Sequence, residues 1–295
     1  MLWAGLPTGP PHILTSMNTT NHHAQRWTIE LPGIGPACRL GLATRGNTTL
    51  EANDVERAVD RGVNYLNWCG HPDGLQRWVR DCGTRRREVR VAVQLSARSA
   101  SAAERELEES LEQLGTDYLD VVTYYYVEHI EEWHRILGPR GAAEVIEAAR
   151  DEGTVRAIGL TSHQRLLAAE TADSGRLDLL MIRYNAAHRS AEADVFPVTR
   201  PRSLPVIAFT CLRWGELMKS TPDDPSGFEP PAAPDCYRFV LTHPDISVAL
   251  MAPDGADELD RDLTILDGPP ELDDRQHAAL AAHGDRVHRH AGGFP

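Results

Sequence analysis

Short apolar runs alternate with amphipathic stretches eight times along this chain, and few folds accept that pattern. The runs predict strands at 38–43, 63–67, 89–95, 118–125, 155–160, 177–184, 206–210 and 246–251. Between them lie helical patterns. Thr48-x-x-Glu51 reads as a capping box, because a hydroxyl and a carboxylate three residues apart satisfy free backbone N–H groups. Val55, Ala58, Val59 and Gly62 follow at helical spacing. Ser101-x-x-Glu104 opens another helix, with Leu107, Leu111 and Leu114 as its buried face and Gly115 as its stop. Further helices are predicted at 74–82, 141–152, 165–173, 192–199, 235–242 and 256–263, with a Pro-, Asp- and Ser-rich loop at 220–234. Near-continuous apolar strands mark a parallel sheet covered on both faces. No GxGxxG loop follows any strand. The prediction is therefore an α/β fold of the (β/α)8 TIM-barrel kind rather than an open doubly wound sheet.

Length and charge narrow the function classes. A chain of 295 residues suits one barrel domain. The net charge of −13 argues against a nucleic-acid backbone or an anionic membrane as partner, since both would be repelled. No run of apolar residues is long enough to predict a transmembrane helix. Five cysteines without a pairing pattern fit reduced thiols in the cytoplasm. Residues 1–25 read as a flexible extension, with Met1 or Met17 as the start, and 26–295 as a single barrel domain. Oligomeric state is not legible.

Several runs carry a more specific signal. Arg39 to Ala43 reads RLGLA, Ala58 to Leu66 reads AVDRGVNYL, and Leu114 to Asp120 reads LGTDYLD. Arg156 to Ser162 reads RAIGLTS, and Arg183-Tyr-Asn precedes His188-Arg189. Val206 to Phe209 and Phe239 to Pro244 complete the series. In order and spacing these resemble the aldo-keto reductases from about Arg39 to Leu263. The resemblance implies hydride transfer between a nicotinamide and a carbonyl. In that family a Tyr gives the proton, a Lys–Asp pair lowers its pKa and a His positions the carbonyl. Carried over by position, the Asp falls on Asn67, the Tyr on Pro72, the Lys on Gln94 and the His on Tyr125. None keeps the family's residue type. Loss of one partner of a buried ion pair leaves an uncompensated charge, whereas loss of both, with near-isosteric amides in place, avoids that cost. Asn67 and Gln94 are able, as amides, to hydrogen-bond to each other.

The candidate catalytic residues are thus Tyr125, His71, Asn67 and Gln94. Tyr125 reads as a relocated acid or base, or as an aromatic wall; His71 reads as a general acid–base, or as an exposed loop histidine. Tyr124 and Tyr126, of opposite parity, are expected to pack outward. The resemblance places cofactor contacts at Ser162, His163 (usually Asn), Met181 (usually Gln), Phe209 and Asp254. The acidic run from Asp254 to Asp262 favours NAD over NADP, because a carboxylate accepts from a free ribose hydroxyl and repels a 2′-phosphate. The other reading is that no dinucleotide binds. Trp68, Cys69 and His129 are candidate pocket residues. No metal site is expected, since no ligand pair has short helix spacing. His188 and Arg189 read as structural, paired with Glu192. The reading favoured is an oxidoreductase of aldo-keto reductase type acting on a small organic carbonyl or alcohol. The alternatives are a non-redox isomerase, lyase or dehydratase in the same barrel, or a catalytically silent binding subunit.

Overall fold

The computed structural model describes residues 25–45, 48–290 and 292, so the predicted extension and both candidate start residues lie outside the described residues except for Gln25. A hairpin of β1 (Thr28–Leu31) and β2 (Gly35–Cys38) comes first. Then follow β3 (Leu40–Ala43), α1 (Ala52–Asp60), β4 (Tyr65–Trp68), α2 (Gly74–Asp81), β5 (Arg90–Leu95) and α3 (Ala100–Leu114). Next come β6 (Leu119–Tyr124), α4 (Ile130–Leu137), α5 (Ala142–Asp151), β7 (Val155–Ser162), α6 (Arg165–Asp173) and β8 (Leu179–Arg183). The chain continues through α7 (Ala191–Asp194), α8 (Phe196–Thr199), β9 (Val206–Phe209), α9 (Ala233–Thr242), β10 (Ile246–Met251), α10 (Ala256–Leu263) and α11 (Asp274–His290).

Strands β3 to β10 close into one barrel in chain order, with β10 returning to β3. Every neighbouring pair is parallel. Strand residues alternate between two apolar clusters. One fills the barrel, from Tyr65, Ala92, Val121, Ala157, Leu179, Ile207 and Val248. The other lies between strands and helices and includes Leu66, Val91, Val93, Val122, Ile158 and Leu180. Gly159 leaves room inside the barrel, since a Cβ there would lie 2.6 Å from a methyl of Leu179. Leu31, Ile34 and Ala37 of the hairpin join the inner cluster, so the hairpin plugs the N-terminal end.

The same end holds a buried charge cluster. The Asp120 carboxylate on β6 is inaccessible to solvent and accepts from Arg86 Nη1 at 2.8 Å, Arg156 Nη1 at 2.7 Å and the Val91 backbone N at 2.9 Å. Both guanidinia lie over the Tyr118 ring, at 4.1 and 4.2 Å from its centroid. One side chain thus ties β5, β6 and β7 together.

Several boundaries differ from the sequence reading, each for a local reason. The capping box of α1 falls three residues later, with Glu51 as N-cap and Asp54 accepting its N–H at 2.8 Å. Thr48 and Thr49 hydroxyls instead donate to the carbonyls of Pro253 (3.1 Å) and Asp254 (2.8 Å), across the barrel closure. Helix α3 begins at Ala100 with Ser99 as its N-cap, and ends at Gly115 in the left-handed conformation. The predicted helix 192–199 breaks at Val195, where Pro197 enters the first turn of α8. The hairpin, α4 and α11 were not foreseen. Helix α11 is strongly polar and docks by specific contacts: His283 Nε2 to Leu217 O at 2.9 Å, Arg286 to Asp224 at 2.6 Å and Arg189 to Asp285 at 2.7 Å.

Two stability outcomes follow. Asp120→Ala strands the buried Arg86 guanidinium and releases the more exposed Arg156, and is expected to cost about 3–5 kcal/mol in urea unfolding; a loss below ~1 kcal/mol would mean that the barrel does not need the cluster. Asp262 on α10 accepts from the Tyr237 hydroxyl at 3.0 Å, and burial pushes its carboxyl from the ordinary 3.8 up to about 7. The folded chain therefore keeps a proton that the unfolded chain releases. Stability from this residue is full below the ordinary carboxylate pKa and is lost as pH rises toward 7. Thermal unfolding of Asp262→Asn should lack that decline, and this variant should gain on the wild type at pH 8.

Candidate active site

The C-terminal ends of the strands surround a cavity of about 420 Å³. A larger, shallow depression of about 670 Å³ lies near the opposite end, by Arg87, Leu111 and Tyr118. The mouth is the candidate site, because loops at the strand C-termini are where barrels of this kind carry chemistry.

Asn67 and Gln94 both reach the cavity but do not bond to each other. Register explains this: Asn67 pairs with Ala92, so Gln94 sits one step higher on the same face. Asn67 is 2% exposed; its Nδ2 faces Cys69 Sγ at 3.6 Å, and its Oδ1 has no partner. The buried Thr44 hydroxyl beside the cavity is likewise unpartnered. Unsatisfied buried polar atoms cost free energy, and a ligand that donates hydrogen bonds would recover it. The Cys69 thiol lines the cavity, and burial pushes its pKa up to about 11.

Tyr125 lines the mouth, and burial raises its phenol above the ordinary value of 10.0, with Cys69 and Tyr126 adding to the shift. Tyr124 packs outward, edge-on to Trp133 at 6.0 Å. Tyr126 does not. The strand ends at Tyr124 and Tyr126 has φ +57°, which breaks the two-residue alternation and turns a second ring into the mouth. Its ring stands 5.3 Å from Tyr125 and 4.7 Å from His163, and His163 meets Phe209 edge-on at 5.1 Å. Four rings thus form one wall. Of the six non-glycine residues with left-handed φ among the described residues, Tyr126, Thr210, Arg213 and Trp214 flank the mouth. Strain of that kind concentrates at binding and catalytic sites.

Other candidates lie elsewhere. Trp68 is a core residue between barrel and helices, with its indole N–H donating to His71 O at 2.7 Å, so it is not a cavity wall. Strand alternation requires this, since its neighbour Asn67 points inward. His71 is exposed in the following bend, and His129 is exposed at the N-cap of α4; neither lines the cavity. Ser162 is buried and its hydroxyl accepts from Gln164 N at 3.0 Å. Met181 lines the cavity, and its sulfur accepts from the Thr161 hydroxyl at 3.7 Å. Glu192 accepts from Tyr184 rather than pairing with His188 or Arg189. Burial, with Arg183 and Arg213 nearby, lowers the pKa of His188 to about 3. Among the described residues no three His, Cys, Asp or Glu side chains gather to hold a metal ion.

Sequence reasoning missed Thr44, Arg45, Tyr126 and Trp214. Only Thr44 and Arg45, directly after the first barrel strand, carried a positional signal. Arg45 and Trp214 also line a second cavity of about 320 Å³, which shares Thr210, Leu250 and Ala252 with the first. Asp254 and Glu258 face this second cavity, and Asp254 pairs with Arg45. The two cavities make a groove from the barrel mouth across the ends of β9 and β10. Its far end carries the carboxylates of Asp254 and Glu258 beside Arg45. At the other end the Ser162 hydroxyl and the Met181 sulfur are engaged by Gln164 and Thr161, while His163 is held through its backbone N and Nδ1 by Glu128.

A closed parallel barrel with a polar-floored, aromatic-walled mouth defines a small-molecule site of the (β/α)8 class. The family model for the Aldo/keto reductase family matches residues 38–260, and the chain belongs to that family. It is 27% identical over 120 residues to an NADH-specific methylglyoxal reductase of Escherichia coli (strain K12), covering 40% of this chain and 36% of that protein. It is 29% identical over 129 residues to a D-threo-aldose 1-dehydrogenase of Pseudomonas sp, covering 43% and 38%. The matches thus span little more than a third of these curated relatives. Among solved structures, an aldo-keto reductase from Klebsiella pneumoniae in complex with NADPH superposes with a TM-score of 0.69 at 19% identity, covering 88% of this chain and 95% of the other. The holo form of a Bacillus halodurans aldo-keto reductase gives 0.69 at 16% identity, with the same coverage.

The amide pair generates a direct test. Asn67→Asp alone buries an unpaired carboxylate and is expected to cost about 3–5 kcal/mol in urea unfolding. Adding Gln94→Lys should recover at least half of that loss. Strictly additive effects would place the two positions too far apart to couple.

Proposed function

We propose that this barrel is an oxidoreductase that handles a small, neutral carbonyl or alcohol at its mouth, with NAD rather than NADP as redox partner. The observation that carries this reading is the continuous groove from the mouth cavity to a second cavity faced by Asp254 and Glu258. Phe209 stands at the mouth end as a flat apolar ring. Family membership adds weight, and the Escherichia coli relative is by name NADH-specific. When bound, the nicotinamide supplies the hydride acceptor or donor.

The chain's own residues divide the remaining work. Asn67 Oδ1 and the Thr44 hydroxyl accept hydrogen bonds from the ligand, and Gln94 orients it from the adjacent strand. Tyr125 keeps its proton at neutral pH, because burial raises its pKa and no cation lowers it. It therefore serves as a hydrogen-bond donor to an oxygen and not as a base. His71 has no part, being exposed away from the cavity. The five cysteines are free thiols, in keeping with a cytoplasmic setting. No helix among the described residues is long and apolar enough to cross a membrane.

A second reading, a non-redox enzyme in the same barrel, is favoured by one observation: the Ser162 hydroxyl and the Met181 sulfur are engaged by Gln164 and Thr161 and do not form an amide cradle. Titration with NADH and NADPH, followed by calorimetry and tryptophan fluorescence, separates the two. Trp214, half exposed and shared by both cavities, is the reporter. Micromolar NADH binding is expected, with NADPH at least ~10-fold weaker, a difference of about 1.4 kcal/mol. Silence with both at millimolar concentration would sink the redox reading and leave the second.

A further inference from the structure

We infer that Glu128 and His163 form a carboxylate–histidine pair that moves the proton at this mouth, in the place of the family's tyrosine. The inference rests on the reading of the mouth as a small-molecule site. It starts from a segment whose chemistry the tetrad comparison does not use, the Glu128 that follows three tyrosines.

Glu128 lies in the turn after β6, and His163 directly follows β7. Parallel pairing of Tyr124 with Leu160 sets these two loops side by side. Glu128 Oε1 accepts from the His163 backbone N at 2.8 Å and faces His163 Nδ1 at 3.2 Å. Its Oε2 accepts from Gln164 Nε2 at 3.1 Å. The carboxylate is thus held by three contacts, and both side chains are largely buried, at 15% and 21% exposure. An ionised carboxylate only accepts, so Nδ1 carries the hydrogen and Nε2 keeps a free lone pair. Nε2 has no hydrogen-bond partner among the described residues, and it is not among the buried unsatisfied atoms. The ring lines the cavity between Tyr126 and Phe209, so its orientation is fixed from both sides.

The other lining groups do not fill this role. Arg45 is committed to Asp254, and Tyr125 and Cys69 hold their protons through neutrality. Of the residue types at this mouth, only imidazole exchanges a proton close to neutral pH. In alcohol oxidation the ligand O–H bond breaks and its proton passes to His163 Nε2. The oxygen electron pair would become the new C=O bond, and an oxidised nicotinamide, when bound, would supply the acceptor for the C–H pair as hydride. The imidazolium so formed is stabilised by Glu128, and it returns the proton in the reverse direction. Glu128 is a positioning residue that acts through His163. The further charges near the pair are Glu132 on α4, whose carboxylate accepts from the Glu128 backbone N at 2.9 Å and pairs with Arg98; Arg165, beside His163 in sequence; and Arg183 on β8, which senses Glu128. Tyr126 is the neighbouring titratable ring.

The test uses the full chain. Long-range ¹H–¹⁵N spectra of the imidazoles, assigned with His163→Gln, are followed from about pH 4 to about pH 9 in wild type, Glu128→Gln and Glu128→Asp. The expected result is an Nδ1–H tautomer whose titration midpoint falls in Glu128→Gln and is restored toward wild type in Glu128→Asp. With a substrate from carbonyl and alcohol screening, His163→Gln should lower kcat by ~10²–10⁴-fold with KM little changed. The acid limb of kcat/KM should then move with the spectroscopic midpoint. An Nε2–H tautomer, or a midpoint that Glu128→Gln leaves in place, overturns the pair whether or not a nicotinamide binds. Absence of nicotinamide binding with the tautomer and midpoint shift intact overturns the redox reading alone.

Discussion

The buried Asp120 carboxylate sets the frame on which the mouth depends. It binds two guanidinia and a backbone N–H at the closed end of the barrel, and so locks β5, β6 and β7 to one another. Parallel strands carry that register along their length. Val121 pairs with both Ala92 and Ala157, and the same ladders place Gln94 opposite Thr123 and Thr123 opposite Gly159. The heights of Gln94, Tyr125, Thr161 and His163 at the open end follow from a charge cluster at the other. Desolvation of the Asp120 and Arg86 charges is offset there by mutual pairing and hydrogen bonds, with Arg156 reaching in from the surface, which is why removal of one buried partner is costlier than the pair's net worth.

At the open end the electrostatics run the other way. The floor is neutral: two amides and hydroxyls, with an unpartnered oxygen on Asn67 and on Thr44. A neutral floor can be buried without a counter-ion, and it leaves the phenol of Tyr125 with nothing to stabilise its anion. Charge sits on the rim, where Glu128 holds His163 and Arg45 meets Asp254. The left-handed residues Tyr126, Thr210, Arg213 and Trp214 mark where the loops bend to bring aromatic rings to that rim. Helix α11 supports this side, bonding Leu217 O through His283, while Arg213 Nη2 donates to Gly292 O at 2.7 Å.

Much of the barrel was legible because local pattern and tertiary role coincide there. Apolar runs such as Leu179–Arg183 and Ile246–Met251 are strands covered on both faces, and hydrophobic continuity records that directly. The elements that escaped lack such a record. Hairpin β1–β2 is short and half polar, and only its contact with the barrel interior gives it a purpose. Helix α11 has few apolar residues and holds on by ion pairs and a buried histidine. Thr48 is a suitable cap by residue type, yet its hydroxyl is drawn to a carbonyl on the far side of the barrel closure.

Sequence by itself determined the eightfold alternation, the family, and the presence of two amides, Asn67 and Gln94, at the ends of neighbouring strands. These depend on residue type and spacing along the chain, which need no folding to be read. Tertiary structure decided which side chains share the mouth. It excluded Trp68, His71 and His129, admitted Tyr126 and Trp214, and parted Asn67 from Gln94 by one step of register. It also joined Glu128 to a histidine 35 positions away in sequence. Strand parity, backbone handedness and the pairing of distant loops are set by the closed sheet, and no local stretch of sequence carries them.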